Sequence, residues 1–247
     1  MIQAILFDLD DTLLGNGMKT FIPGYFDLLG KYASSYLEKQ RFLAELLHCT
    51  QAMMANTDPA VFNRDVFWTA FEQRTGLPTA ELEPFFDHFY RSHFSQLQAL
   101  TQQRPLAAEL VRACLVRDLQ VVIATNPVFP RIAIEQRLLW AGIPATEFDY
   151  ALVTSYENMR ATKPHQAYYR QILDTIDCDP EAALMVGDNW ENDIMPAAGL
   201  GLNTYWITPD GAAPHEDNLA SEYGTLDKLH ELVLSAWLDT LPESTNP

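Results

Sequence analysis

The sequence predicts an α/β fold, a doubly wound parallel sheet with an all-helical domain inserted after its first strand. Two observations lead to this prediction. Short apolar runs alternate with stretches of helical periodicity over most of the chain, a pattern typical of parallel strands that helices cover on both faces. Residues 15–100 break the alternation, because they show helical periodicity without a convincing strand.

The predicted elements follow one another in a regular order. The strands are Ile2–Phe7, Leu119–Ala124, Ala151–Thr154, Ala183–Val186 and Leu202–Ile207. The helices are Pro105–Asp118, Arg131–Trp140, His165–Ile176, Glu191–Ala198 and Leu226–Leu238. The stretches LQVVIATN and ALMVGDN contain almost continuously apolar strands, as expected for burial on both faces. Alternating strands and helices indicate right-handed crossovers between parallel strands.

The helical segment divides the α/β domain in sequence. We expect residues 1–14 and 101–247 to form the α/β domain and residues 15–100 to form the helical domain. Pro-Gly, Asp-Pro and Gly-Leu-Pro turn signals separate its helices. Its aromatic side chains recur at helical spacing, which favours a packed helical core over a substrate pocket.

The composition narrows the possible partners and the compartment. A net charge of −17 disfavours nucleic acids and anionic membranes, which proteins bind mainly through Lys and Arg. No apolar run approaches the roughly 18 residues of a membrane span, and the first strand lacks the basic start and cleavage site of a signal peptide. The three cysteines are widely spaced and form no C-x-x-C motif, so we expect a reduced, cytoplasmic protein.

Polar residues follow the predicted strands at the positions where open α/β sheets bind ligands. Asp8 and Asp10 follow the first strand, and the strand period of two places them on one side of the chain. The residues of this set that come after later strands are Thr125, Asn126, Lys163, Asp188 and Asp193. Because the carboxyl ends of parallel strands share one edge of a sheet, we expect these side chains to converge.

Clustered carboxylates need compensating cations. Two unit charges 4 Å apart repel by about 4 kcal/mol at an effective dielectric constant near 20. A divalent ion that prefers oxygen ligands would offset this repulsion, and Mg²⁺ suits a site that also admits phosphate. Lys163 would add a second positive charge. Such a site can hold a phosphoryl group beside a carboxylate nucleophile, since aspartate forms aspartyl-phosphates in some enzymes.

Four short motifs in this order resemble those of the haloacid dehalogenase (HAD) superfamily. They are DLDDT (residues 8–12), Thr125 within VVIATN, Lys163 within ATKPHQAYY, and GDNWEND (residues 187–193). The resemblance spans the chain and implies a phosphatase-type member of subfamily I, with a Rossmann-like core and a helical C1 cap inserted after the first motif. Arg160 departs from the pattern, because family members often have a small residue three positions before the motif lysine.

The resemblance assigns separate roles to two neighbouring aspartates. Asp8 would be the nucleophile and a metal ligand. Asp10 would be the general acid and base, and its backbone carbonyl would also bind the metal. We expect the adjacent Asp11 to be structural, with its carboxylate bonded to local backbone.

The same resemblance assigns the other motif residues to substrate and metal. Thr125 would hydrogen-bond the phosphoryl group, with Asn126 as an additional contact. Lys163 would neutralise the nucleophile and the phosphate. Asp188 would bind Mg²⁺, and Asp193 would support the metal site or fix the lysine in place.

The implied function is a Mg²⁺-dependent phosphatase that hydrolyses a small phosphorylated metabolite through an aspartyl-phosphate, as a monomer or a homodimer. A sugar phosphomutase shares the four motifs and is an alternative. A 2-haloacid dehalogenase is disfavoured by Asp10, because a halide leaves without a proton. A binding module that has lost catalysis is the third alternative, and the intact set of motif residues disfavours it.

Overall fold

The computed structural model describes residues 1–208 and 219–241. The strands in these ranges are β1 (Ala4–Phe7), β2 (Leu14–Gly15), β3 (Gln102–Gln103), β4 (Gln120–Ile123), β5 (Leu152–Val153), β6 (Ala183–Gly187), β7 (Asn203–Ile207) and β8 (Glu222–Gly224). The helices are α1 (Met18–Tyr32), α2 (Lys39–Met54), α3 (Asn63–Thr75), α4 (Thr79–Ser92), α5 (Pro105–Val116), α6 (Arg131–Trp140), α7 (Gln166–Ile176), α8 (Met195–Ala198), α9 (Leu226–Leu234) and α10 (Trp237–Thr240). None of the helices in the described ranges has the length and apolar character needed to cross a membrane.

Within the described ranges, six strands form one parallel sheet in the order β5-β4-β1-β6-β7-β8. The chain builds one side of the sheet outward from β1 and then returns to build the other side, which is a doubly wound arrangement. The register pairs Phe7 of β1 with Ile123 of β4 on one side and with Val186 of β6 on the other. The residues that follow these three positions consequently lie at one edge of the sheet.

Side chains of β1 alternate between two buried layers. Ile5 and Phe7 belong to the larger hydrophobic cluster, which also contains buried residues of α5, α6 and α9. Ala4 and Leu6 belong to the opposite layer, where Tyr168 and other buried residues of α7 pack. Burial on both faces explains why the sequence of this strand is continuously apolar.

Residues between β2 and β3 form the helical segment that the sequence predicts. Its helices α1 to α4 pack through aromatic side chains, and the rings of Phe42 and Phe86 are stacked with centroids 5.6 Å apart. The antiparallel pair β2–β3 joins the two ends of the segment, because Gly15 pairs with Gln102. The chain therefore enters and leaves the helical segment at one place.

The parallel sheet confirms the predicted fold class, and three details differ. The short edge strand β8 and the β2–β3 pair lie outside the predicted strands, since each strand has only two or three residues and no apolar run. The helix predicted over 226–238 is two helices, because Ser235 has an extended backbone and its hydroxyl accepts a hydrogen bond from the Trp237 N–H. The helix predicted over 191–198 is a wide helical turn, Trp190–Ile194, followed by α8.

Candidate active site

The carboxyl edge of the sheet brings together polar residues that follow its central strands. Asp8 follows β1, Thr125 comes after β4, and Asp188 follows β6. Because β1 lies between β4 and β6, Asp8 occupies the centre of this edge. Its backbone N–H donates to the carbonyl of Val186 over 2.9 Å, which extends the ladder of the sheet to the aspartate itself.

Lys163 supplies a buried positive charge to this edge. Its ammonium group donates to Oδ1 of Asp8 over 2.7 Å and to Oδ1 of Asp193 over 2.6 Å. The Lys163 side chain is only 2% exposed, so both ion pairs are shielded from water. The lysine and the two carboxylates therefore form one connected cluster.

The loop after β6 positions Asp193 through its backbone. The side-chain oxygen of Asn189 accepts hydrogen bonds from the N–H groups of Glu191 and Asn192, and this cap begins a helical turn. The turn carries Asp193 back over Gly187, where a Cβ atom would overlap the Asp193 carboxylate. Oδ2 of that carboxylate accepts from the Asn189 N–H over 3.1 Å. The close approach explains the glycine at position 187.

Burial and neighbouring charges shift the pKa values in this cluster. Burial raises the pKa of Asp8 well above its ordinary value, although Lys163 acts in the opposite direction. Burial alone would lower the pKa of Lys163, but the carboxylates of Asp193 and Asp8 outweigh it and raise that pKa well above its ordinary value. Burial, followed by the carboxylates of Asp193 and Asp11, raises the pKa of Asp188 to about 6. The cluster holds more carboxylates than its one lysine can neutralise.

Three carboxylates of the cluster fit a metal site. One oxygen from each of Asp8, Asp188 and Asp193 lies within 4.8 Å of the others. Hard divalent cations prefer sets of oxygen ligands. Burial and the neighbouring carboxylates disfavour the ionised form of Asp188, and an added cation would stabilise that form. The carboxylate of Asp10 lies outside this group and binds other partners.

Thr125 is buried, and two hydroxyl groups fix its backbone carbonyl. The Thr154 hydroxyl donates to this carbonyl over 2.7 Å and the Tyr168 hydroxyl over 2.9 Å. The side-chain oxygen of Asn126 accepts a hydrogen bond from the backbone N–H of Lys163 over 3.3 Å. Asn126 thus connects the loop after β4 to the loop that carries the lysine, a contact that its sequence position does not indicate.

Asp10 has a different set of partners. Its Oδ2 forms an ion pair with Nη1 of Arg137 on α6, and its Oδ1 accepts from the side-chain amide of Asn16 over 2.8 Å. Arg137 is 1% exposed, and its guanidinium carbon lies 4.7 Å from the centroid of the Phe129 ring. The carboxylates of Asp8 and Asp10, predicted on one side of the chain, therefore pair with separate cations.

Arg137 and Asn16 are functional candidates that the sequence motifs do not include. Arg137 lies within the amphipathic helix α6, and Asn16 lies in a Gly-Asn-Gly turn. The sequence feature that indicates Arg137 as a candidate is its position on the apolar face of the helix. It comes three residues after the buried Ile134 and directly before the buried Leu138. A charged residue on the apolar face of a helix requires a buried partner, and here that partner is Asp10.

The turn after β1 is held by its own side chains. Asp11 adopts a left-handed backbone conformation with φ of 58°, and its Oδ1 accepts a hydrogen bond from the Asn16 N–H over 3.0 Å. The prediction that Asp11 bonds to local backbone is confirmed. Arg104 donates to the carbonyl of Thr12 over 3.0 Å and ties this turn to the start of α5.

The helical segment contacts the loops that surround the cluster. Asn63, at the start of α3, donates from its backbone to the carbonyl of Met159 over 2.8 Å. Its side-chain amide donates to the carbonyls of Pro127 and Ala161 over 3.3 and 3.1 Å. These loops follow β4 and β5, so the fully buried Asn63 connects the helices to both of them.

Arg160, which departs from the family pattern, also contacts the helical segment. Its guanidinium carbon lies 4.0 Å from the centroid of the Phe62 ring, within the range of a cation–π interaction. Its carbonyl accepts a hydrogen bond from the side-chain amide of Asn56 over 3.3 Å. The larger residue at this position therefore contributes to the interface between the helices and the sheet loops.

Comparisons with known proteins agree with this geometry. The model of the family of haloacid dehalogenase-like hydrolases matches residues 2–201. The phosphoserine phosphatase of Thermus thermophilus is 27% identical to this chain, over 95% of the chain and 99% of that relative. The pyrophosphatase PpaX of Bacillus mycoides is 23% identical, over 94% of this chain and 95% of that relative.

Solved structures share the fold along nearly the whole chain. A 2-haloacid dehalogenase from Pseudomonas syringae pv. Tomato DC3000 has a TM-score of 0.62 at 24% identity, with 96% of this chain and 100% of that chain covered. A HAD phosphatase from Thermococcus onnurineus has a TM-score of 0.59 at 20% identity, with 94% and 98% covered. Because the family match extends over most of its length, this chain belongs to the haloacid dehalogenase-like hydrolases.

Proposed function

We propose that this hydrolase is a Mg²⁺-dependent phosphatase that acts on a small phosphorylated metabolite through an aspartyl-phosphate on Asp8. The observation that carries the proposal is the buried Lys163, which bridges Asp8 and Asp193 beside Asp188. This cluster combines a nucleophile, a fixed positive charge and a group of metal-binding carboxylates. Phosphoryl transfer depends mainly on positioning and charge stabilisation, which such a cluster supplies.

The two aspartates of the first motif would divide the reaction between them. In the first half-reaction, a carboxylate oxygen of Asp8 attacks phosphorus, the bond to the ester oxygen breaks, and Asp10 donates a proton to that oxygen. In the second, the oxygen of a water molecule attacks the phosphorus of the aspartyl-phosphate while Asp10 accepts a proton from that water. The bond between phosphorus and Asp8 breaks, which releases phosphate and returns Asp10 to its protonated form.

The other motif residues would hold the phosphoryl group during both steps. Lys163 would pair with its oxygens, and the Thr125 hydroxyl and the Asn126 amide would donate hydrogen bonds to it. When bound, Mg²⁺ supplies positive charge to the phosphoryl oxygens. The groups that we assign to Mg²⁺ are the carboxylates of Asp8, Asp188 and Asp193 and the backbone carbonyl of Asp10.

We further propose that residues 1–14 and 101–247 form the catalytic domain and that residues 15–100 form a cap that selects the substrate. The β2–β3 pair and the contacts of Asn63 support this division. Relatives named as phosphatases of phosphoserine and pyrophosphate support a small phosphorylated substrate. The free, buried cysteines are consistent with the reducing cytoplasm that we propose as the location.

Asp8→Asn tests the nucleophile directly. We expect this variant to release phosphate from p-nitrophenyl phosphate with Mg²⁺ at least about 10⁴-fold more slowly than the wild type, because an amide cannot form the acyl phosphate. Asp174→Asn is a matched control at an exposed position of α7 and should keep the wild-type rate. Thermal melting followed by circular dichroism checks that both variants are folded. Turnover by Asp8→Asn close to the wild-type rate would refute the assignment.

A panel of phosphorylated metabolites separates the phosphatase from the alternatives. The proposal predicts stoichiometric release of inorganic phosphate that stops when EDTA removes the metal. A phosphomutase would instead isomerise a sugar phosphate without net release of phosphate. A binding module would retain the phosphorylated compound and release nothing.

A further inference from the structure

Helix α7 contributes a tyrosine hydroxyl to the edge of the sheet that carries the candidate active site. Tyr168 is fully buried in the hydrophobic layer on one face of the sheet, together with Leu6 and Val122. Its hydroxyl donates to the carbonyl of Thr125, just beyond the end of β4, over 2.9 Å. A buried hydroxyl costs free energy unless it is hydrogen-bonded. Packing alone would be served by phenylalanine, so the bond to Thr125 accounts for the polar group.

The carbonyl of Thr125 has a second hydroxyl partner. Thr154, which directly follows β5, donates to it over 2.7 Å. A carbonyl oxygen has two lone pairs, so these two bonds saturate it. Thr125, Thr154 and Tyr168 are each at most 2% exposed. Turning the carbonyl would break both bonds in a place that is closed to water, and the carbonyl is therefore held in one orientation.

The orientation of this carbonyl determines where two neighbouring donors point. The carbonyl of Thr125 and the N–H of Asn126 belong to one planar trans peptide group, so they point in opposite directions. Within residues 1–208 and 219–241, neither this N–H nor the Thr125 hydroxyl donates to a protein acceptor. The Asn126 side chain also accepts from the backbone N–H of Lys163. The two hydroxyl partners thus orient donors that lie beside the lysine and that the protein leaves unpaired.

The ring of Tyr168 contacts the proposed phosphoryl-binding lysine. Nζ of Lys163 lies 6.0 Å from the centroid of this ring, within the range of a cation–π interaction. Burial raises the pKa of the Tyr168 hydroxyl, although Lys163 acts in the opposite direction, so the hydroxyl keeps its proton and remains a donor. One side chain therefore contacts both Thr125 and Lys163, which belong to different loops.

We propose that Tyr168 is a positioning residue for the phosphoryl-binding part of the site and acts through the carbonyl of Thr125. Its hydroxyl, together with that of Thr154, holds the donors at positions 125 and 126 in the orientation in which they meet a phosphoryl group. Tyr168 itself does not contact that group. This inference rests on the proposed phosphatase function, because that function assigns Thr125 and Lys163 to the phosphoryl oxygens.

Tyr168→Phe tests the hydroxyl, because it keeps the ring beside Lys163. We expect the Kd of inorganic phosphate, measured by isothermal titration calorimetry with Mg²⁺, to rise by about 5- to 10-fold, since one of the two bonds to the Thr125 carbonyl is lost. The value of kcat/KM for p-nitrophenyl phosphate should fall by a similar factor.

Tyr205→Phe is the matched control for the loss of a buried hydroxyl. Tyr205 is also fully buried, but it lies in the layer on the opposite face of the sheet, and its hydroxyl donates to the Thr225 carbonyl over 3.0 Å. We expect this variant to keep the wild-type Kd for phosphate and the wild-type kcat/KM. Thermal melting followed by circular dichroism shows how much stability each variant loses.

Thr154→Val removes the other hydroxyl and tests the same carbonyl without changing Tyr168. This variant should also weaken phosphate binding. Because both hydroxyls act on one carbonyl, the double variant should weaken binding by less than the product of the two single effects. A double effect equal to that product would contradict an action through one shared carbonyl.

The binding of phosphate separates this inference from the proposed function. Wild-type Kd values in Tyr168→Phe and Thr154→Val, with melting temperatures lowered as in Tyr205→Phe, would show a purely structural role and overturn the inference. A wild type that binds phosphate but releases none from p-nitrophenyl phosphate would overturn the phosphatase function, whereas weaker phosphate binding by Tyr168→Phe would still support the positioning role. No binding of phosphate by the wild type would overturn the inference.

Discussion

Asp8 and Asp10 are two residues apart, yet each carboxylate pairs with a different buried cation. Asp8 shares Lys163 with Asp193, and Asp188 lies beside them. Asp10 pairs with Arg137 and accepts a further hydrogen bond from a neutral amide. The lysine comes from a loop at the edge of the sheet, whereas the arginine comes from within helix α6.

The region around Asp8 lacks positive charge, whereas the region around Asp10 lacks hydrogen-bond acceptors. The region around Asp8 has more carboxylates than cations, and burial, followed by the carboxylates of Asp193 and Asp11, raises the pKa of Asp188 to about 6. The region around Asp10 has spare donors, because Nε and Nη2 of Arg137 are buried without a hydrogen-bond partner in the described part of the chain. The first region is therefore suited to an added cation. In the second region, Arg137 can bond to another acceptor when Asp10 gives up a contact. A group that transfers protons must be able to change partners in this way.

The largest expected effect follows from removing the positive charge of Lys163 beside Asp8. Lys163→Met leaves the buried carboxylates of Asp8 and Asp193 facing each other, so we expect the free energy of unfolding to fall by about 3–5 kcal/mol. Denaturant unfolding measures this loss, and phosphate release should fall by about 10³-fold or more because the phosphoryl group loses a fixed charge.

An exposed ion pair provides the control for Lys163→Met. Lys228 is 45% exposed and pairs with Glu222 over 3.0 Å, so Lys228→Met should cost less than about 1 kcal/mol and leave the rate unchanged. Adding Mg²⁺ should restore part of the stability of Lys163→Met, because the metal supplies the missing positive charge. Equal stability losses in the two variants would contradict a charge-deficient site around Asp8.

A smaller effect is expected in the second region. Arg137→Met removes a charged hydrogen bond from Asp10, whose side chain is partly exposed, and should lower the free energy of unfolding by about 1–3 kcal/mol. We expect kcat to fall by about 10- to 100-fold with little change in KM, because Asp10 is displaced while the phosphoryl site is intact.

Arg137→Lys distinguishes the positioning of Asp10 from simple packing. This variant keeps a positive charge beside the carboxylate and should recover part of the lost kcat, whereas its shorter reach prevents full recovery. Steady-state kinetics with Mg²⁺ supply both constants. A rise in KM with unchanged kcat in Arg137→Met would indicate that the arginine binds the substrate and does not position Asp10.

The contrast between Asp8 and Asp10 also separates the contacts that the sequence predicts from those that it does not. Asp8, Lys163 and Asp193 follow strand-like runs, and the rule that parallel strands end at one edge predicts their meeting without knowledge of side-chain packing. Arg137 contacts Asp10 only because α6 presents its buried face to the turn after β1, which helical periodicity cannot specify. The apolar pocket that side chains of α1 to α4 line, among them Phe42, Phe71 and Phe86, escapes prediction for a similar reason, since regular spacing of aromatic residues does not reveal whether their rings fill the interior.

The smallest expected effect concerns pH. The pKa of Asp188 is about 6 in the folded protein, above its ordinary value of 3.8. The folded state thus holds this proton more tightly than the unfolded state does. Its contribution to stability is complete below about pH 4 and is lost as the pH rises through about 6. Mg²⁺ needs the ionised carboxylate, so stabilisation by Mg²⁺ should increase over the same range, by up to about 1.4 kcal/mol per pH unit.

Melting temperatures measured with Mg²⁺ and with EDTA between pH 5 and 8 check this effect. The difference between the two conditions should grow with pH in the wild type and in the exposed-site control Asp174→Asn. Asp188→Asn should reduce the difference at every pH, because one of the three carboxylate ligands is gone, and the pH dependence that remains should come from Asp8, whose pKa is also raised. A wild-type difference that is constant across this range would mean that Asp188 does not bind the metal. The excess of carboxylates around Asp8 would then have to be balanced in another way.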